Sequence, residues 1–187
     1  MKQPPSFEEA YQIQSAADQA GREFWFNNVF LTPKWWLIVA VAVLPVVIWW
    51  KLVDRRRLFE IMTYGLLVSL LAGLLDAIGV ELDAWEYKYD FVPLLDVFIV
   101  YDISVLPVSY MLVYQYFQSW RGFVTAHLIL SFAFAFISEP LLVWLDIYQL
   151  IGWKHIYSVP GYFLVAIAIR LVMEGLKRKV ARCKTVG

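Results

Sequence analysis

Residues 35–53 read WWLIVAVAVLPVVIWWKLV. Trp35 and Trp36 open the run, Trp49 and Trp50 close it, and no charged residue falls between the two pairs. Paired tryptophans at both ends of an apolar run match the aromatic belts of a lipid bilayer. Four further apolar segments follow: Leu58 to about Leu82, about Phe91 to Phe117, Phe123 to about Ile147, and Val159 to Leu176. Each segment has ~18–27 residues, enough to cross ~30 Å of hydrocarbon at a helical rise of ~1.5 Å. Pro45, Pro93, Pro107 and Pro140 fall in or near these spans and are expected to kink them.

Composition agrees. Of 187 residues, 61% are hydrophobic, 18% aromatic and 17% charged. A soluble domain holds ~45–50% apolar and ~25% charged residues. The excess argues against a soluble enzyme, a disordered chain and a nucleic-acid partner. The expected fold is an all-α polytopic membrane helix bundle of five transmembrane helices, with an N-terminal amphipathic interfacial helix. Three regions follow: 1–34 for the interfacial helix, 35–177 for the bundle and 178–187 for a basic tail.

The N-terminal region carries its own start signal. Ser6 followed by Glu9 fits a capping box. Phe7, Tyr11 and Ile13 alternate with Glu8, Glu9, Gln12 and Gln14 before the aromatic close at Phe24, Trp25 and Phe26. A polar helix with an aromatic end suits the headgroup layer. No basic n-region followed by an apolar h-region is visible. The single cysteine, Cys183, reads as a plain tail residue.

Sixteen basic and sixteen acidic residues cancel, but their placement does not. Lys51, Arg55, Arg56 and Arg57 follow the first segment, Arg121 follows the third, and Lys177, Arg178, Lys179, Arg182 and Lys184 follow the fifth. The opposite loops hold mainly Lys88 and Lys154. The positive-inside rule then puts the C-terminus in the cytoplasm and the N-terminus outside the cell membrane.

Charges in hydrocarbon are costly, so a buried one faces the bundle interior and has a partner. Asp76, Asp96, Asp102, Glu139 and Asp146 all fall in the outer half of their segments, and Glu81, Asp83, Glu86 and Asp90 join them in the outer loops. Asp76 and Asp83 are seven apart, as are Glu139 and Asp146, which is two turns on one face if the helices continue. A polar cavity opening outward between the second, third and fourth segments is expected. Tyr87, Tyr89, Tyr101, Trp85, Trp144, Trp153 and Tyr157 are expected at its mouth. Asp83, Glu86, Asp90 and Asp146 also fit solvated loop positions. His127 reads as a neutral packing residue, and Arg170 with Glu174 as a snorkelling local pair. Glu60 can pair with Arg56 or Arg57. No hydrolase, metalloprotease, CxxC or phosphate-loop motif occurs, so no metal or cofactor is expected.

Ser138-Glu139-Pro140-Leu141, then Val143-Trp144-Leu145, then Trp153-Lys154-His155-Ile156-Tyr157-Ser158 resemble an uncharacterised family of small multi-pass membrane proteins of spore-forming Firmicutes. Trp85-Glu86-Tyr87-Lys88-Tyr89 and Leu106-Pro107 through Phe117 resemble the same family. That resemblance implies a membrane fold and carries no activity. Trp85-Glu86 alone is similar to a Trp-Glu pair in small membrane-embedded terpene cyclases, which use it with a remote Asp as proton donors. This chain is shorter and has fewer spans than those enzymes.

Three functions fit these residues. One is acid–base chemistry on a lipid-soluble isoprenoid, as in a cyclase or isomerase-type lyase. In it Glu86 or Glu139 acts as acid and Asp102 or Asp76 as base or relay. Crowded carboxylates in a dry site favour a shared proton, which suits such work. Trp85, Tyr89, Tyr101, Trp144, His155 and Tyr157 would hold the substrate, with ring faces stabilising a cation. A second is a sensor or binding subunit that holds a cationic or polar small molecule. A third is a structural subunit of a larger complex. Membrane lipid is the partner common to all three.

Overall fold

Ser6 and Glu9 start the first helix as the sequence dictates. Ser6 Oγ accepts the Glu9 N–H at 3.2 Å, and Glu9 Oε2 accepts the Ser6 N–H at 2.7 Å. The computed structural model describes residues 4–93 and 97–186, so Asp96 and the side chain of Cys183 lie outside it. Helix α1 spans Phe7–Asn28 and buries only Trp25. Thr32 Oγ1 accepts the Trp35 N–H, and Pro33 occupies the first turn, which sets the start of α2, Pro33–Leu52. A three-residue turn of arginines, Arg55–Arg57, leads into α3, Leu58–Glu81.

Helix α3 explains the packing by its own spacing. Ile61, Tyr64, Val68, Ala72, Asp76 and Gly79 are buried at spacings of three or four, and Gly65 beside Tyr64 joins the same face. Leu66, Leu70, Leu74 and Ile78, on the other side, are exposed. Large apolar side chains such as Phe59, Ile129, Ile137 and Leu164 likewise cover the outside of the bundle. A periphery this apolar needs lipid against it. Among the described residues, four helices are long and apolar enough to cross a membrane: Pro33–Leu52, Arg55–Glu81, Trp120–Trp144 and His155–Arg182.

The third expected segment differs from its sequence reading. Residues 91–93 form a turn, 97 and 98 are not helical, and helix runs from residue 99. Pro93 lacks an amide donor, and the Phe98 N–H is taken by Asp76 Oδ2 at 3.0 Å. The helix runs from 99 through a π-helical turn, Tyr101–Val105, into α4, Leu106–Tyr116. The next helix repeats the pattern. Helix α5, Trp120–Ala133, passes through a π-helical turn, Phe134–Ser138, into α6, Glu139–Trp144. In both cases a proline, Pro107 or Pro140, stands two residues after the π turn. The backbone absorbs the missing donor as a wider turn: the Leu106 N–H reaches Tyr101 O and the Glu139 N–H reaches Phe134 O.

Two short strands close one end of the bundle. Strand β1, Trp85–Tyr87, pairs antiparallel with β2, Tyr148–Leu150, with Glu86 opposite Gln149. Helix α7, His155–Val186, completes the chain. Helices α3, α4, α5 and α7 pack together, and α2 lies against the π turn that precedes α4.

Two spacing expectations fail at the strand end. Asp83 and Asp146 do not continue their helices, because each adopts a left-handed backbone, with φ of 51° and 56°. Asp146 pairs with Lys88 at 2.6 Å and Lys34 at 3.8 Å instead of facing a cavity. At the opposite end, Arg57 and Lys177 both pair with Glu60. Arg170 does form its pair with Glu174, at 3.4 Å, but it does not snorkel. It is buried, donating to Phe117 O at 3.3 Å and Gln118 O at 2.5 Å at the end of α4. His127 is fully buried against Tyr110 and Phe123, with no hydrogen-bond partner for either ring nitrogen.

Candidate functional site

Beneath the β1–β2 pair lies a cavity of about 310 Å³. Asp76 reaches it from α3, Asp102 from the first π turn and Glu139 from the start of α6. Three carboxyls expected to share one interior volume do so. Their relative exposures are 8%, 7% and 4%, so each carboxyl needs partners from the protein or from an occupant.

Asp76 is fully engaged. Its Oδ1 accepts the Trp85 indole N–H and the Tyr87 hydroxyl, both at 2.8 Å, and its Oδ2 accepts the Phe98 N–H. These bonds tie the strand to α3. The strand's alternation places Trp85 and Tyr87 inward. Trp85 fits because Gly79 has no side chain, since a Cβ there would overlap the indole ring. Burial pushes the phenols of Tyr87 and Tyr148 up, so both remain neutral.

Glu139 is engaged from α7. His155 Nδ1 lies 2.7 Å from Oε2, and the Tyr162 hydroxyl donates to Oε1 at 2.9 Å. Tyr101 stands beside this group, its hydroxyl donating to Ser138 Oγ at 3.3 Å. Asp102 differs from both. It lies against Asp76, within reach of a carboxyl–carboxyl hydrogen bond, and its Oδ2 is wholly occluded. Phe98, Tyr110, Tyr148 and Trp153 supply most of the remaining aromatic wall. No Lys, Arg or His is among the described residues that line the cavity.

The accessible part of the lining is apolar. Leu75 and Ile78 of α3, Leu82 just after it and Gly161 of α7 line the cavity and are exposed. Trp85, Tyr87 and Tyr148 of the strands cover one side of the cavity as a roof, and its exposed apolar lining comes from the α3 end and from α7, not from the gap between the second, third and fourth segments alone.

Several expected site residues stand elsewhere. Glu86 is exposed on the outward face of β1, because its neighbours point in. Trp144 is 79% exposed and outside the cavity. Tyr89 lies under the Lys34 ammonium, 4.3 Å from the ring centre, and Tyr157 packs its edge on Trp153. His155 acts through Glu139 rather than by lining the cavity. Tyr162 was not anticipated, although its seven-residue spacing from His155 puts both on one face of α7. Among the described residues, no cluster of His, Cys, Asp and Glu has the geometry to hold a metal ion.

No protein-family model, curated protein or solved structure matches the chain.

Proposed function

We propose that this is a multi-pass bacterial membrane protein whose acidic, aromatic-lined cavity binds a small lipid-soluble molecule. The observation that carries the reading is the convergence of Asp76, Asp102 and Glu139 from three helices on one cavity with an apolar mouth. A polar end would meet the carboxyls and an apolar body would lie toward Leu75 and Ile78. The orientation that fits the basic turn at Arg55–Arg57 has the C-terminus in the cytoplasm and α1 lying along the outer headgroup layer. The helix at 99–116 then serves as the third of five passes. Reporter fusions after Arg57 and at Gly187 should both read cytoplasmic, and an exterior signal from either overturns the orientation.

A second reading is acid–base chemistry on an isoprenoid. The Glu139–His155 contact, with Tyr162 on the other carboxylate oxygen, favours it. In that reading Glu139 replaces the exposed Glu86 as the acid, and Asp102 or Asp76 serves as base.

Gly161→Phe separates a used cavity from an idle one. A Cβ at Gly161 meets nothing within 4 Å, so a ring there extends into free space at the mouth. Mass spectrometry of the purified protein should find a lipid-soluble species that this variant loses. An unchanged species in the variant would sink the binding reading. Conversion of a prenyl diphosphate or prenyl quinone by the wild type, lost in Glu139→Gln, would select the catalytic one.

A further inference from the structure

We propose that the groove between α4 and α5 holds an acyl chain of an anionic phospholipid whose phosphate meets the Arg121 guanidinium. The proposal rests on the multi-pass reading and is independent of the cavity, which lies at the strand end of the bundle.

Small side chains build the groove. Gly122, Ala126, Ile129 and Ala133 follow one another along one face of α5, and Val113 of α4 and Phe117 just after it complete the lining. Three of the four α5 positions are glycine or alanine, which leaves the depression open. Phe117 and Ile129 are exposed, so the groove opens on the apolar periphery of the bundle. From Gly122 to Ala133 the helix rises about 16 Å at ~1.5 Å per residue. That is about half of the ~30 Å of hydrocarbon, the depth that one acyl chain of one leaflet fills.

Charge selects the lipid. Arg121 lines the end of the groove at which α5 starts. It is exposed, and its guanidinium has no ion pair or hydrogen bond among the described residues. A cation in the first turn stands at the positive end of the helix dipole, and that turn holds no acidic residue. An anion beside Arg121 relieves both charges at once. A phosphate accepts two parallel guanidinium hydrogen bonds, and a phospholipid brings the chain that fills the groove below. Trp120, exposed beside Arg121, suits the headgroup level at which that phosphate lies. A second copy of this chain fits less well. Two copies related by a twofold axis along the membrane normal hold Arg121 at one depth, so docking through this face brings like charges together.

The test titrates dioleoyl phosphatidylglycerol or dioleoyl phosphatidylcholine into the full-length protein in detergent, and native mass spectrometry reads the first bound lipid. Phosphatidylglycerol should bind more tightly by about fivefold, the effect of one cation beside an anionic lipid. Arg121→Gln should remove that preference and leave phosphatidylcholine unchanged. Arg56→Gln, which removes an exposed cation from the basic turn, should leave the preference intact. Ala126→Phe should weaken both lipids by filling the groove. Equal binding of the two lipids by the wild type overturns the proposal, and this comparison does not depend on a variant folding. Equal effects of Arg121→Gln and Arg56→Gln also overturn it, because the attraction is then spread over the basic residues. Unchanged lipid binding in Ala126→Phe places the chain elsewhere. A dimer that Ala126→Phe dissociates, with no lipid preference, gives the groove to a second copy and overturns the proposal as well.

Discussion

Nδ1 of His155, on the first turn of α7, sits 2.7 Å from Oε2 of Glu139, at the start of α6. Tyr162, two turns further along the same face of α7, donates to the other oxygen at 2.9 Å. One helix therefore occupies both oxygens of a buried carboxyl on another. Removing the Tyr162 hydroxyl leaves Oε1 without its donor, which should destabilise the fold by about 1–3 kcal/mol. The double-mutant cycle of Tyr162→Phe with Glu139→Leu, read by denaturant unfolding, should give a coupling energy above ~0.5 kcal/mol. Additive single effects would mean that the contact does not exist in the folded protein.

Gly79 is the seat of Trp85. A side chain at 79 displaces the indole and with it the hydrogen bond to Asp76. Gly79→Leu should cost about 1–3 kcal/mol through overpacking and should loosen the roof. Gly175→Leu is the control, because a Cβ there meets nothing within 4 Å. The roof is followed by hydrogen exchange at the Lys88 amide, which bonds Ile147 O at 2.9 Å. Equal exchange in the two variants would show that Trp85 does not hold the strand.

The sequence made the membrane class and most helices legible because both rest on long apolar runs and on caps within a few residues of each other. Ser6 with Glu9, and Arg57 with Glu60, are such local signals. Asp76, Asp102 and Glu139 were legible as a group because charges at similar depth share a reason to avoid lipid. Their distinct states were not. Whether Asp76 meets Trp85 and Tyr87 as well as Asp102 depends on a two-strand pairing between residues sixty or so apart, which no local periodicity announces. Both π turns were hidden for a similar reason: a proline predicts a lost donor, but neighbouring helices decide whether the backbone kinks or widens. Glu86 and Trp144 were misplaced because three-residue strands and helix ends turn within a single residue.

Asp146 gives the roof a pH dependence. The Lys88 ammonium, 2.6 Å away, donates to its carboxylate and holds it below the usual aspartate value of 3.8. A carboxyl lowered in the folded state contributes stability that is fully present above the unfolded value and is lost as pH falls through the folded one. Protection of the Lys88 amide should thus be flat from neutral pH to about pH 4 and fall below it. Asp146→Asn should remove that acid-side loss while preserving the left-handed backbone, which asparagine tolerates. Asp146→Val should open the roof at every pH, because a β-branched residue is strained there. A wild-type profile that matches Asp146→Asn would remove the ion pair from the account.

Arg170 anchors the end of the bundle that carries the basic turn Arg55–Arg57. Its guanidinium donates to the carbonyls of Phe117 and Gln118, just beyond α4, and to Glu174. It also lies 4.5 Å from the ring centre of Trp120 and 4.3 Å from that of Phe123. The planar fork serves two carbonyls and two ring faces at once, a geometry that a lysine ammonium cannot reproduce. Arg170→Lys keeps the charge but loses at least one charge-assisted bond, at a cost of about 1.5–3 kcal/mol. Arg170→Met leaves Glu174 and both carbonyls without that donor and should cost about 3–5 kcal/mol. Arg178, exposed and 3.8 Å from the same Glu174, is the internal comparison. Arg178→Lys should stay within ~0.5 kcal/mol of wild type. Unfolding midpoints measured in one detergent for all three variants decide the matter. If Arg170→Lys is as mild as Arg178→Lys, the guanidinium is a surface charge folded inward, and the end of α4 is held by packing alone.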